Sequence, residues 1–125
     1  MAWLVKLFET YEADAAIAKG SAVKFGTSNK RVAVCSATTD FSIGVAQNAA
    51  VNAGDLVEVV HLGGAKGLAK ASIVKGNLLG NNADGSIQKV ASANDRVIGI
   101  AMDDASAADI FSMLVVPGMA TQTQS

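Results

Sequence analysis

The chain holds one cysteine, Cys35, and one histidine, His61, the residue types that make a nucleophile and its activating base when they meet. Nothing in the order of residues brings them together, and neither stands in a catalytic signature. Val32, Ala33 and Val34 precede Cys35, and no cationic residue adjoins it. A buried strand thiol is expected there, because a reactive thiolate needs an electropositive setting. One Cys and one His do not make the three or four converging ligands of a zinc site. The adjacent carboxylates Asp103 and Asp104 would point to opposite faces of a strand, so they make a poor acid–base couple and suit a solvated turn. The segment Gly63-Gly64-Ala65-Lys66-Gly67-Leu68-Ala69-Lys70 has the glycines and lysines of a phosphate loop without its required order, and a turn between strands is expected. Asn81-Asn82-Ala83-Asp84-Gly85 lacks the distal glutamate of a calcium loop and is also expected to turn. No catalytic, metal-ligating or cofactor-binding residue emerges, and the expectation is a protein that is not an enzyme.

Ten basic and eleven acidic residues are spread over 125 positions. No stretch is basic enough to follow a phosphate backbone, so no nucleic-acid partner is expected. The N-terminal run Trp3-Leu4-Val5-Lys6-Leu7-Phe8 is too short and too charged for a secretory signal, and no window reaches the length of a membrane span. A soluble protein follows. Half of the residues are apolar but only 5% are aromatic, so the core must be built from Val, Ile, Leu and Ala.

The elements that would carry any function are short and β-branched: Val32–Cys35, Ile43–Ala46, Leu56–Val60, Val97–Ile100 and Ile110–Val116. Gly63-Gly64, Asn81–Gly85 and Ala53-Gly54-Asp55 separate them with turn chemistry. The alanine-rich pieces Ala13–Ala18 and Ala105–Ala108 suggest single helical turns. Three segments repeat in order. Ile17-Ala18-Lys19-Gly20 matches Ile73-Val74-Lys75-Gly76, Ile43-Gly44-Val45-Ala46 matches Ile98-Gly99-Ile100-Ala101, and Ala53–Val57 matches Ala107–Phe111, at offsets of 56, 55 and 54 residues. Two copies are too few for a solenoid. The expected fold is all-β, a small antiparallel β-barrel or sandwich built from two similar β-units, about 17–60 and 73–116, within a single domain spanning 12–117. Gly44 and Gly99 fall inside strands, where glycine marks a bulge, a bend or a close backbone approach; a bend that curls the sheet over its core is expected.

Residues 1–11 precede the duplication as an extended N-terminal arm, and the polar tail 118–125 follows Pro117. The arm holds the sole tryptophan. Its Trp3, Leu4, Val5, Leu7 and Phe8 are the candidate partner contacts, since an exposed apolar arm can add as a strand to a partner's sheet and aromatic anchors often dominate interfaces. An ordinary first strand packed on the domain's own core fits the same residues equally.

The stretch from Gly54 to Gly118 resembles the bacteriophage capsid cement, or head decoration, proteins. The resemblance is carried by Gly54–Val60, Ala65-Lys66, Val74–Leu79, Asp84-Gly85, Asp95–Ala101 and the closing Asp109–Val115. It implies a compact β-fold and no small-molecule substrate. It also implies homotrimers at three-fold positions of an icosahedral head, bridging subunits of the major capsid protein and reinforcing the DNA-filled shell on the virion surface, after assembly in the host cytoplasm. The competing reading is a glycan- or host-binding module displayed on a virion or cell, which would need an aromatic platform from Trp3 and Tyr11.

Overall fold

A computed structural model describes residues 7–90 and 96–116. Among them are nine strands: β1 (Leu7–Ala13), β2 (Ala22–Phe25), β3 (Arg31–Val34), β4 (Gly44–Ala46), β5 (Leu56–Leu68), β6 (Leu78–Asn81), β7 (Ile87–Lys89), β8 (Gly99–Ala101) and β9 (Ile110–Val115). The fold is all-β. The described residues contain no helix, and the two alanine-rich pieces are not helical turns. Their places are taken by Ile17, bridged to Ala50, and Ile73, bridged to Ala105.

The strands run β1-β3-β2-β4-β5, and β5 pairs back onto β1, closing a five-stranded barrel. An odd number of strands cannot alternate direction all the way round a ring, so one neighbouring pair must be parallel. That pair is β1–β3, with Glu12 opposite Arg31. The sheet continues β5-β9-β8-β6-β7. This second set also returns on itself, through the parallel bridge of Ala69 to Ile87 and the hydrogen bond from Lys70 N–H to Ile87 O at 2.7 Å.

Pairing for pairing, the second ring repeats the first. Val23 opposite Val34 becomes Leu79 opposite Lys89. Ala22 opposite Val45 becomes Leu78 opposite Ile100, and Val45 opposite Val60 becomes Ile100 opposite Leu114. β1 against the first half of β5 (Glu12 opposite Leu56) becomes the second half of β5 against β9 (Leu68 opposite Ile110). The correspondence therefore takes in β1 and residues 63–69, which share only the buried pair Ala13 and Ala69. β5 is 13 residues long and serves as the last strand of one ring and the first of the next. Gly63-Gly64 lies inside it and is not a turn. Gly63 has φ 110, a left-handed backbone that glycine adopts without steric cost, and the β1 register shifts opposite this region, between Leu7 and Phe8.

At Gly44 a Cβ would overlap the Val60 carbonyl oxygen, and at Gly99 it would overlap that of Leu114, the matching residue of the second ring. The two in-strand glycines thus mark a close approach of backbones rather than a bend. The cores differ in how they are filled. Tyr11 stands beside Val57 on the neighbouring strand of the first ring, whereas Gly67 stands beside Phe111 on the neighbouring strand of the second. A Cβ on Gly67 would lie 2.8 Å from Met113 Sδ and 3.2 Å from both Ile87 and Phe111. The aromatic side chain has changed sides of the pair, and the glycine opposite makes the room.

Tyr11 is buried. Its hydroxyl is within hydrogen-bond reach of His61 Nε2 at 2.7 Å and Glu9 Oε1 at 3.1 Å. Desolvation, reinforced by Glu9, pushes the phenol up to about 12 from its ordinary 10. Since the folded value lies above the unfolded one, the stability from keeping Tyr11 neutral is full below pH 10 and is lost as pH rises towards about 12. Denaturant midpoints measured across that interval are expected to fall, and to fall less in Tyr11→Phe. Gly44→Ala and Gly99→Ala are each expected to cost about 3 kcal/mol or more by overpacking against backbone. Gly54→Ala is the control: it has a φ of 91 and open space around it, so it should cost only the left-handed strain of about 1–2 kcal/mol. Gly67→Ala should cost about 1–3 kcal/mol, with Met113→Val, which copies the first ring's Val59, restoring part of the loss in a double-mutant cycle.

Candidate partner-binding surface

The residue types that could do chemistry are buried or engaged by other groups. Cys35 is buried just beyond β3, and burial, with Asp40 adding to it, pushes its thiol up to about 12. His61 has both ring nitrogens engaged: Nδ1–H donates to Ile43 O at 2.7 Å, and Nε2 meets the Tyr11 hydroxyl. With Nδ1 on the Ile43 carbonyl and Nε2 beside the Tyr11 hydroxyl, neither nitrogen is left for a thiol. Asp103 accepts the Ser112 N–H and Asp104 the Lys75 N–H, so the adjacent pair is divided between two backbone contacts. Asp40 accepts the N–H groups of Ser36 and Ala37 and pairs with Lys24 at 2.9 Å, and these bonds hold its carboxyl below the usual range.

The glycine-rich segment 63–70 is the second half of β5 and its exit, not a loop. Its Lys66 donates to Ser112 Oγ at 2.7 Å, and Lys70 pairs with Asp84 at 3.3 Å. Asp84 in turn closes the Asn81–Gly85 segment by accepting the N–H and hydroxyl of Ser86. Among the described residues no three His, Cys, Asp or Glu side chains gather as metal ligands. The depression lined by Gln47, Lys66, Met102 and Ser112 holds about 200 Å³, below the roughly 300–1,000 Å³ of small-molecule pockets.

What the outer surface offers is apolar. Trp3, Leu4 and Val5 lie outside the described residues. Leu7 and Phe8 begin β1 at 59% and 45% exposure, while Tyr11 and Ala13 of the same strand are buried in the first core. One strand therefore both lines a core and presents side chains outward. Leu7 sits opposite Leu62, also exposed, on β5. Burial of Tyr11 removes it from any aromatic platform. Phe41 is exposed with the Arg96 guanidinium 5.4 Å from its ring centre, and Phe25 projects from the end of β2.

A further row runs across β6, β8 and β9: Leu78 opposite Ile100, and Ile100 opposite Leu114. Leu78 and Leu114 are exposed and Ile100 half-buried. Sequence reasoning missed Leu62, Phe25 and this row. Ile110–Val116 reads as one unbroken apolar run apart from Ser112, as a strand buried on both sides would. The available signal was positional: alternation makes Phe111 and Met113 face in and Ile110 and Leu114 face out.

The profile of phage cement proteins matches residues 9–116. The solved structure of the head fiber gp8.5 N base of bacteriophage phi29 superposes with a TM-score of 0.69 at 17% sequence identity, over 90% of this chain and 95% of that one, which is a likeness of fold. Comparison with curated proteins finds no match. A family match that begins within β1, ends just past β9 and so takes in both rings makes this chain a member of the phage cement protein family.

Proposed function

We propose that this chain is a head decoration protein that binds the lattice of major capsid protein as a trimer and stabilises the DNA-filled head. The observation that carries the reading is the division of labour in its side chains: polar groups are spent on turns and strand ends, while leucines and phenylalanines stand on the outside of the two rings. Such a molecule works by fitting surfaces, without catalysis or cofactor. A trimer on a three-fold site meets three equivalent places at once, and three modest contacts acting together hold far more tightly than one. A formal net charge of −1 limits self-repulsion when many copies crowd one shell. Trp3, Leu4, Val5, Leu7 and Phe8 are the proposed capsid contacts, with Leu62 beside Leu7 extending the patch. The protein would then reside on the outer capsid surface, assembled there in the host cytoplasm.

The test is addition of purified protein to expanded heads of the cognate phage. Stoichiometric, saturable decoration and a higher temperature of DNA release are expected. Absence of binding to expanded heads would overturn the reading. Trp3→Ser with Leu7→Ser should weaken decoration about tenfold or more, the loss of about 1.4 kcal/mol, with sedimentation of the free protein unchanged.

A further inference from the structure

The two rings match in backbone but differ in what covers them. On the first ring the outward row Ala22, Val45 and Val60 is fully buried. It joins the same buried cluster as Ala65, Ile87 and Met113 of the second ring. The β6–β7 turn seals this contact. Gly85 O accepts the Ala22 N–H at 2.8 Å, and Gly85 lies so close to Val34 that a side chain there would collide with it. Asn81, at the head of the turn, is buried and donates to Ala37 O at 2.8 Å.

On the second ring the corresponding row is Leu78, Ile100 and Leu114, in the same register. No third unit covers it among the described residues, and Leu78 remains 41% and Leu114 39% exposed. The uncovered row also carries larger apolar side chains than the covered one. Exposed Met102 and Ile110 add apolar surface beside it.

A counterpart of the sealing turn is already on the chain. It is the β2–β3 turn of the first ring, where Lys30 has φ 65 against 88 for its counterpart Gly85. The counterpart of buried Asn81 is Phe25, which is 67% exposed. We propose that the Leu78–Ile100–Leu114 face receives the β2–β3 turn of a second copy of this chain, with Phe25 inserted foremost. This rests on the trimer proposed above and names the interface that builds it. The contact joins two unlike patches, so it is heterologous, and it closes when three copies turn through a third of a circle each.

Sedimentation of full-length protein and two variants tests this. The wild type should be a trimer. Phe25→Ser and Leu114→Asp, both at exposed positions, should each be monomeric with unchanged circular dichroism. Mixed in equal amounts, the two variants should form a one-to-one dimer, because the Leu114→Asp chain keeps its Phe25 and the Phe25→Ser chain keeps its face. Phe25→Cys mixed with Ile100→Cys should give a disulfide between copies, with buried Cys35 not competing; this readout stands if Leu114→Asp fails to fold. Trimers that survive both substitutions, or a monomeric wild type, would overturn the interface. Head binding is scored separately. A monomeric wild type that decorates heads refutes this contact and leaves decoration standing, while a substitution-sensitive trimer that ignores heads does the reverse.

Discussion

β5 has to act as a wall of two rings at once, and the rest of the architecture follows from that. Its first half places Val57 and Val59 in one core, and its second half places Ala65 and Gly67 in or against the other. A slip of one residue along β5 would turn both sets outward together. The backbone also has to change course between the rings, which it does at Gly63 with a left-handed φ of 110. Neither ring can close without β5, so loosening one removes a wall of the other. Rings built from strands of mostly three or four residues have small interiors, and sharing a strand joins them into a single folding unit of the size that supports a stable core.

Duplicated backbone with unlike side chains raises a packing problem that is solved locally. Where two backbones approach most closely, glycine is kept in both rings, at Gly44 and Gly99, because the neighbouring atom is a carbonyl oxygen that cannot move aside. Where only side chains meet, volume is exchanged. Tyr11 opposite Val57 is replaced by Gly67 opposite Phe111, and Met113 takes the place of Val59. The exchange has a consequence for polarity. Tyr11 brings a hydroxyl that needs partners and finds His61 and Glu9, whereas the second core, filled by Phe111 and Met113, has no such need.

These same constraints decide how much a reader of the sequence alone can see. The segments that repeat recognisably are those whose chemistry is backbone-bound: the in-strand glycines, and the turns in which Asp55 accepts the N–H groups of Val51 and Asn52 and Asp109 that of Ser106. From these the all-β class and the doubling are readable. β1 and the stretch 63–69 play the same part in the two rings yet match only at Ala13 and Ala69, since strand pairing uses main-chain groups and tolerates Tyr11 or Gly67 at one position. β6 was hidden because Gly80 and Asn81 are poor strand formers. They are there because a Cβ on Gly80 would strike the Arg96 carbonyl and because Asn81 reaches Ala37 O. The outward leucines were concealed for a different reason: apolar residues on both faces of β9 erase the alternation that tells inside from outside.

Ring closure also bears on how such a protein can recognise anything. A closed barrel leaves almost no unpaired strand edge, so the common route of adding a partner's strand to a sheet is shut along most of this surface. Recognition is thereby moved from edges to faces, where it depends on side chains standing outward. The first ring has spent its Ala22–Val45–Val60 face on the second, and small side chains suit a contact already fixed by the covalent chain. The second ring's Leu78–Ile100–Leu114 face has no such tether. Any association there must be held by buried apolar area alone, which accounts for leucine and isoleucine where the tethered face has alanine and valine.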